Sequence, residues 1–152
     1  TEAALDKLSA TFGPIRGLVA CAGISRPAAT ADMTDEIWDL VIGVNLTGVF
    51  QCCQSAGRRM IAEGGGSIVT IGSTAALGGH AGRAHYCASK HGVVGVTKVL
   101  ALEWGHLGIR VNCVAPGAID TPLLRNGVPA DHVDAVLRDR TPMQRLGRAD
   151  DV

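Results

Sequence analysis

The sequence predicts a parallel α/β sheet, equivalent to half of a doubly wound one. Three short runs rich in β-branched residues (17–21, 67–71 and 110–114) are apolar almost throughout, the pattern of strands covered on both faces. Long stretches with helical spacing separate them. Strand, helix, strand, helix, strand with short turns calls for right-handed crossovers between parallel neighbours. At 152 residues the chain has room for one ordinary domain.

The elements follow in order. Residues 1–12 read as a helix leading into the first strand. Thr34-Asp35-Glu36 supplies an N-cap and an acidic first turn, and Ile37, Val41, Val44, Gly48 and Cys52 follow at helical spacing. Residues 40–57 carry no charge, but Asn45, Thr47, Gln51, Gln54 and Ser55 make them too polar for a membrane span. A helix buried on most sides is the expectation. Gly64-Gly65-Gly66 precedes the second strand and should end that helix. A second long helix is predicted over 84–106, stopped by Gly108, and a short amphipathic one over 130–140 with Val133, Val136 and Leu137 on one side. No G-x-G-x-x-G-like turn follows any strand.

Composition narrows the class of function. Apolar residues make up 47% and charged residues 18%, which favours a packed core over disorder. Lys plus Arg (14) balance Asp plus Glu (14), so nothing electrostatic calls for a nucleic acid or an anionic membrane. With 20 glycines and only 3% aromatic residues, close backbone contacts and small aliphatic side chains should fill the interior. Cys21, Cys52, Cys53, Cys87 and Cys113 are odd in number and lack Cys-x-x-Cys spacing, as expected of reduced thiols in a cytoplasmic protein. The chain begins Thr1-Glu2 without a basic-then-apolar leader, so no signal peptide is expected and a piece of a longer chain is.

The chemistry centres on the single tyrosine, Tyr86. Lys90 lies four residues on and therefore shares its helical face. A fixed cation beside a phenol favours the ionised form, which makes a proton donor and acceptor usable near neutrality. Ser73 closes the second strand, and strand C-termini are where ligand sites form in parallel sheets. Its hydroxyl can bond an oxygen on which charge develops. Asn45 is an amide inside an apolar helical stretch, where it either satisfies a helix carbonyl or water or serves the site.

Other candidates weigh less. His85 and His91 flank the Tyr86–Lys90 pair and read as solvent or subunit-interface positions, while His80 and Arg83 are exposed or touch substrate. Ser73 lacks a G-x-S-x-G elbow, and no histidine spacing fits a metal, so neither a serine hydrolase nor a metal site is expected. Arg138, Arg140, Arg145 and Arg148 alternate with Asp131, Asp134, Asp139, Asp150 and Asp151, a solvated face.

Cys21-Ala22-Gly23, Val44-Asn45, Ser73, Tyr86-x-x-x-Lys90 and Val111-Asn112-Cys113-Val114-Ala115-Pro116-Gly117 occur in that order. Together they resemble the classical short-chain dehydrogenases/reductases over essentially the whole chain. The resemblance implies a Rossmann-like sheet of which 1–152 is the second, catalytic half in one domain. The first strand, the Gly-rich phosphate turn and the selector between NAD and NADP would lie upstream, and the last strand downstream. It implies an NAD(P)-dependent oxidoreductase acting on a small carbonyl or secondary alcohol, with 3-oxoacyl thioester reduction as one such activity.

Residue by residue, the resemblance makes Tyr86 the general acid or base. Lys90 would lower its pKa and bind the nicotinamide ribose, Ser73 would orient the reacting oxygen, and Asn45 would hold a water linked to Lys90. Cys21, Ala22 and Gly23 would lie against the adenosine ribose. Pro116, Gly117, Ile119 and Thr121 would line the nicotinamide, and 123–128 would cover the substrate. Where the family has Asn-Asn-Ala-Gly this chain has Ala20-Cys21-Ala22-Gly23, which removes side-chain bracing of the central strand. The two long helices would pair across a homodimer or homotetramer through an outer face including Val93, Val94 and Leu100. Without a phosphate turn, the 152 residues alone would fold poorly or bind cofactor weakly, with 17–21 as an exposed edge. The alternative is a non-catalytic relic that keeps its helices for oligomerisation.

Overall fold

The computed structural model describes residues 1–128 and 141–152. Its strands β1 (Gly17–Ala20), β2 (Gly66–Ile71) and β3 (Ile109–Val114) form one parallel sheet in that order. Each begins and ends within a residue of its expected bounds. The register sets Val19 against Val69 and Ile68 against Val111. Helix α1 (Glu2–Phe12) precedes β1, and α4 (Ala84–Trp104) joins β2 to β3. The segment expected as one helix between β1 and β2 is α2 (Asp35–Ile42), a π-helical turn (Gly43–Gly48) and α3 (Val49–Ala62) in direct succession. A short α5 (Pro122–Arg125) follows β3, and Ile119 bridges Gly147 beyond it. The amphipathic helix expected over 130–140, with Asp131, Asp134, Arg138, Asp139 and Arg140, lies outside the described residues. No helix among the described residues is long and apolar enough to cross a membrane.

Local chemistry explains the boundaries. Thr34 caps α2 by accepting from the Ile37 N–H at 3.4 Å. Past the end of α3, Gly65 adopts φ 129° and its N–H donates to the Met60 carbonyl at 2.8 Å, closing the helix. A Cβ at Gly65 would stand 2.6 Å from the Gly108 carbonyl oxygen, so the two turns feeding β2 and β3 touch backbone to backbone. The same close approach joins the helices. A Cβ at Gly57 would meet the Trp104 ring at 2.5 Å, and one at Gly92 would meet Leu46 at 2.8 Å.

The π-helical turn corrects the expected helical stripe. The buried row runs Val41, Asn45, Val49 and Cys53, one residue beyond the predicted Val44, Gly48 and Cys52, which are only half-buried. The extra residue taken up by the wider turn displaces the pattern. Nor is this stretch buried on most sides, because Leu40, Thr47, Phe50 and Gln51 are exposed.

A second correction concerns the sheet. Two right-handed crossovers between consecutive strands put both connecting helices on the same face. On that face Ile68, Thr70, Ile109 and Val111 are buried with Met60, Ala56, Val93 and Leu100. The Thr70 and Thr97 hydroxyls share a 2.8 Å hydrogen bond that joins β2 to α4. On the opposite face Val19 is 63% exposed, and Arg110, Asn112 and Val114 are also open. The strands therefore alternate, and among the described residues only one face of the sheet is covered. β1 is an edge, as expected.

Candidate active site

The N-terminal turns of α4 bring the proposed pair together. Tyr86 is half-buried and Lys90 is 4% exposed, with its Nζ 5.7 Å from the Tyr86 ring centroid. Lys90 Nζ donates to the carbonyl of Ile71, the last residue of β2, at 2.7 Å. Among the described residues Lys90 enters no ion pair. Burial holds its pKa below the ordinary lysine range, opposed by the nearby thiols of Cys113 and Cys21. The ammonium thus sits at the C-terminal end of the sheet with one of its three donors engaged.

Asn45 faces the same place from the π-helical turn and is fully buried. Its Oδ1 accepts from the Ile24 N–H at 2.8 Å, and its Nδ2 donates to the Ile24 carbonyl at 2.9 Å and to Ser89 Oγ at 3.3 Å. Its side chain thus satisfies the backbone of the loop after β1 rather than a helix carbonyl. Gly23 is wedged into this corner. A Cβ there would lie 3.5 Å from Asn45 Oδ1 and 3.7 Å from Lys90 Nζ. Cys21 and Ala22, just before it, are exposed.

Ser73 lies two residues past β2 and caps a 3-10 turn (Thr74–Ala76), its Oγ accepting from the Ala75 N–H at 3.1 Å. The Thr74 N–H donates to the Pro116 carbonyl at 3.0 Å, and Gly117 adjoins Thr74. That turn packs on α4. The ends of β1, β2 and β3 therefore deliver Gly23, Ser73 and Pro116-Gly117 around the α4 pair. Ile119 and Thr121 stand further along the chain. Ile119 is tied to Gly147, and Thr121 caps α5, accepting from the Leu124 N–H at 3.5 Å.

Two expectations about α4 are corrected. His85 does not face solvent or a subunit interface, because it is 0% exposed. Its Nε2 lies 2.7 Å from the Arg26 carbonyl, and its Nδ1 accepts from the Tyr86 N–H at 2.9 Å. Val93 and Leu100 are core residues, and Val94 packs toward Gly72, so they form no outer face. The apolar side chains open on α4 are Val99 and Leu102. Among the other candidates, His80 and His91 are exposed. Arg83 donates to Ser25 Oγ at 3.0 Å and to the Gly127 carbonyl at 2.5 Å, linking the covering segment to the loop after β1. Sequence reasoning missed Ser25, His85 and Ser89. For Ser89 a signal was present, since position i+3 from Tyr86 shares its helical face.

Comparison with known proteins places the chain in a family. The family model described as enoyl-(acyl carrier protein) reductase matches residues 1–152. D-threitol dehydrogenase of Mycolicibacterium smegmatis is 41% identical over 151 residues, covering 99% of this chain and 58% of that protein. The 3-oxoacyl-[acyl-carrier-protein] reductase of Thermotoga maritima is 41% identical over 148 residues, covering 97% and 59%. The crystal structure of a gluconate 5-dehydrogenase from Burkholderia cenocepacia, in complex with NADP and tartrate, superposes with a TM-score of 0.93 at 37% identity, covering 98% of this chain and 58% of that one. The chain thus spans a little under three fifths of the length of these relatives. Matched from end to end in sequence and in fold, this chain belongs to the short-chain dehydrogenase/reductase family.

Proposed function

We propose that the whole protein is an NAD(P)-dependent oxidoreductase interconverting a small carbonyl compound and a secondary alcohol. The observation that carries this reading is the Lys90 ammonium, buried with no carboxylate partner among the described residues and held against the Tyr86 ring where β2 ends. Tyr86, beside that cation at the end of β2, is the group to give or take the proton of the reacting oxygen. Ser73, on the turn packed against α4, orients that oxygen and donates to it as charge develops. Asn45, in the corner it shares with Gly23 and Lys90, holds a water of the relay in this reading.

The donor set fits a nicotinamide ribose. Lys90 has two N–H donors beyond the one given to Ile71, matching a pair of vicinal hydroxyls. Gly23 leaves that corner free of a side chain, and Pro116-Gly117 borders it from the β3 side. When bound, NAD or NADP supplies or accepts the hydride, and the residues of this chain manage the proton. Cys21, Ala22, Ile119 and Thr121 complete the contacts proposed for the cofactor. A cytoplasmic homodimer or homotetramer belongs to the same reading.

The test is Tyr86→Phe in the whole protein, assayed with acetoacetyl-CoA and NADH or NADPH, and with D-threitol and NAD or NADP. Loss of turnover by about 100-fold or more, with cofactor affinity unchanged, is the expected result. Undiminished turnover in the variant overturns the acid–base reading. A whole protein that binds neither nucleotide favours the oligomerisation relic instead.

A further inference from the structure

Helix α4 starts with Ala84, so the Tyr86 N–H falls among the first four donors, which have no intrahelical acceptor. His85 Nδ1 satisfies it at 2.9 Å. An Nδ1 that accepts carries no proton, so the proton of the neutral ring sits on Nε2 and is donated to the Arg26 carbonyl at 2.7 Å. Geometry alone fixes the tautomer. With both nitrogens engaged, the ring lies 0% exposed between the loop after β1 and the first turn of α4.

Its neighbours make the same connection. The Ala28 N–H donates to the Gly82 carbonyl at 3.0 Å, and Arg83 reaches Ser25 Oγ at 3.0 Å. Ile24 is held by Asn45, whose Nδ2 continues to Ser89 Oγ, and Ser89 donates to the Tyr86 carbonyl at 2.7 Å. The loop at 24–28 is therefore clasped by Gly82, Arg83 and His85, the residues just before Tyr86, and by Asn45 through Ser89. Buried side chains tie down both backbone polar groups of Tyr86.

We propose that His85 is a positioning residue, transmitting the placement of the 24–28 loop to Tyr86 through one donated and one accepted hydrogen bond. The proposal rests on the acid–base reading of Tyr86 and adds a second requirement to it. Proton transfer then needs Tyr86 in register with both Lys90 and that loop, and the loop carries Gly23 and Ile24 at its root. A displacement of about 1 Å at a reacting group costs about 100-fold in rate, so the clasp acts on turnover.

The test uses His85→Asn, His85→Gln and His85→Ala in the whole protein. Asn retains an acceptor at the place of Nδ1, Gln retains a donor at the place of Nε2, and Ala retains neither. The first readout needs no substrate. In the wild type, imidazole nitrogen resonances should report protonation at Nε2 alone, and the Tyr86 amide should exchange slowly. Slow exchange should persist in His85→Asn and be lost in His85→Gln. With acetoacetyl-CoA and NADPH, His85→Asn should keep kcat within about threefold of wild type, while His85→Gln falls about 30- to 100-fold with cofactor KM unchanged. A ring protonated at Nδ1, or Asn and Gln variants that match in amide exchange and in kcat, overturns the proposal even if His85→Ala does not fold. Wild-type turnover in His85→Gln beside a dead Tyr86→Phe overturns the proposal alone. Full turnover in Tyr86→Phe overturns the acid–base reading and the proposal with it.

Discussion

The two faces of the sheet are built from the same three strands and differ in almost every physical respect. On the helix-covered face Ile68, Ile109 and Val111 are buried, and the polar groups among them are paired: Thr70 with Thr97, Asn45 with Ile24 and Ser89, Lys90 with Ile71. No buried side-chain nitrogen or oxygen among the described residues lacks a partner. On the other face Val19 and Val114 stand open on the two outer strands, and the β1 edge has no strand beyond it among the described residues. The first face is complete by its own contacts and carries the site. The second mixes Val19 and Val114 with Arg110 and Asn112 and lacks the contacts of a core. Among the described residues the candidate site is held in place by a single layer of helices.

Breaking the completed face should have the largest effect. Asn45→Ala removes three hydrogen bonds and leaves the N–H and carbonyl of Ile24 unsatisfied, so a loss of about 3 kcal/mol in urea unfolding is expected. An unchanged midpoint would mean that Ile24 finds other partners. The open face should respond differently. Val19→Lys should leave folding stability within about 0.5 kcal/mol yet markedly reduce self-association of the 152-residue chain in sedimentation, because charge blunts an exposed apolar strand. Association that persists undiminished in the variant would place the sticky surface elsewhere.

The smallest effect is a pH slope. Lys90 binds its proton less tightly folded than unfolded, so between its folded pKa and the ordinary value of 10.5 the unfolded chain holds more protons. Stability contributed by this group therefore rises with pH across that interval and is flat below it. Lys90→Met should remove the rise, measured as the difference between the two proteins' unfolding free energies against pH. Equal slopes would show that burial of Lys90 leaves its protonation unchanged.

Sequence legibility divides along the same line. Strand bounds, the span of α4, the Gly64–Gly66 stop and the Tyr86–Lys90 pairing were readable because each rests on local spacing or on one residue's conformational rules. Which face stays open within these residues was not legible, because apolar runs record what a strand tolerates, not which neighbours reach it. His85 was misread for a related reason. A histidine beside an active tyrosine gives no local sign of burial, and its partner Arg26 is 59 residues away in sequence. Val93 and Leu100 were placed outside because apolar residues recur all around α4, so no single stripe marks the side that meets the sheet.

The π-helical turn before α3 has a consequence for what this segment can tolerate. Four-residue steps along a regular α-helix drift about 40° each, so a strict run of 41, 45, 49 and 53 would spiral off the sheet. The wide turn resets the phase, and Asn45 is the residue presented at the reset. Removing any one residue between 43 and 48 would restore an even thread and turn the amide away from Ile24. Substitutions on the outer side of the same turn would leave the phase untouched. On that outer side, chain length, more than side-chain identity, is the property under constraint.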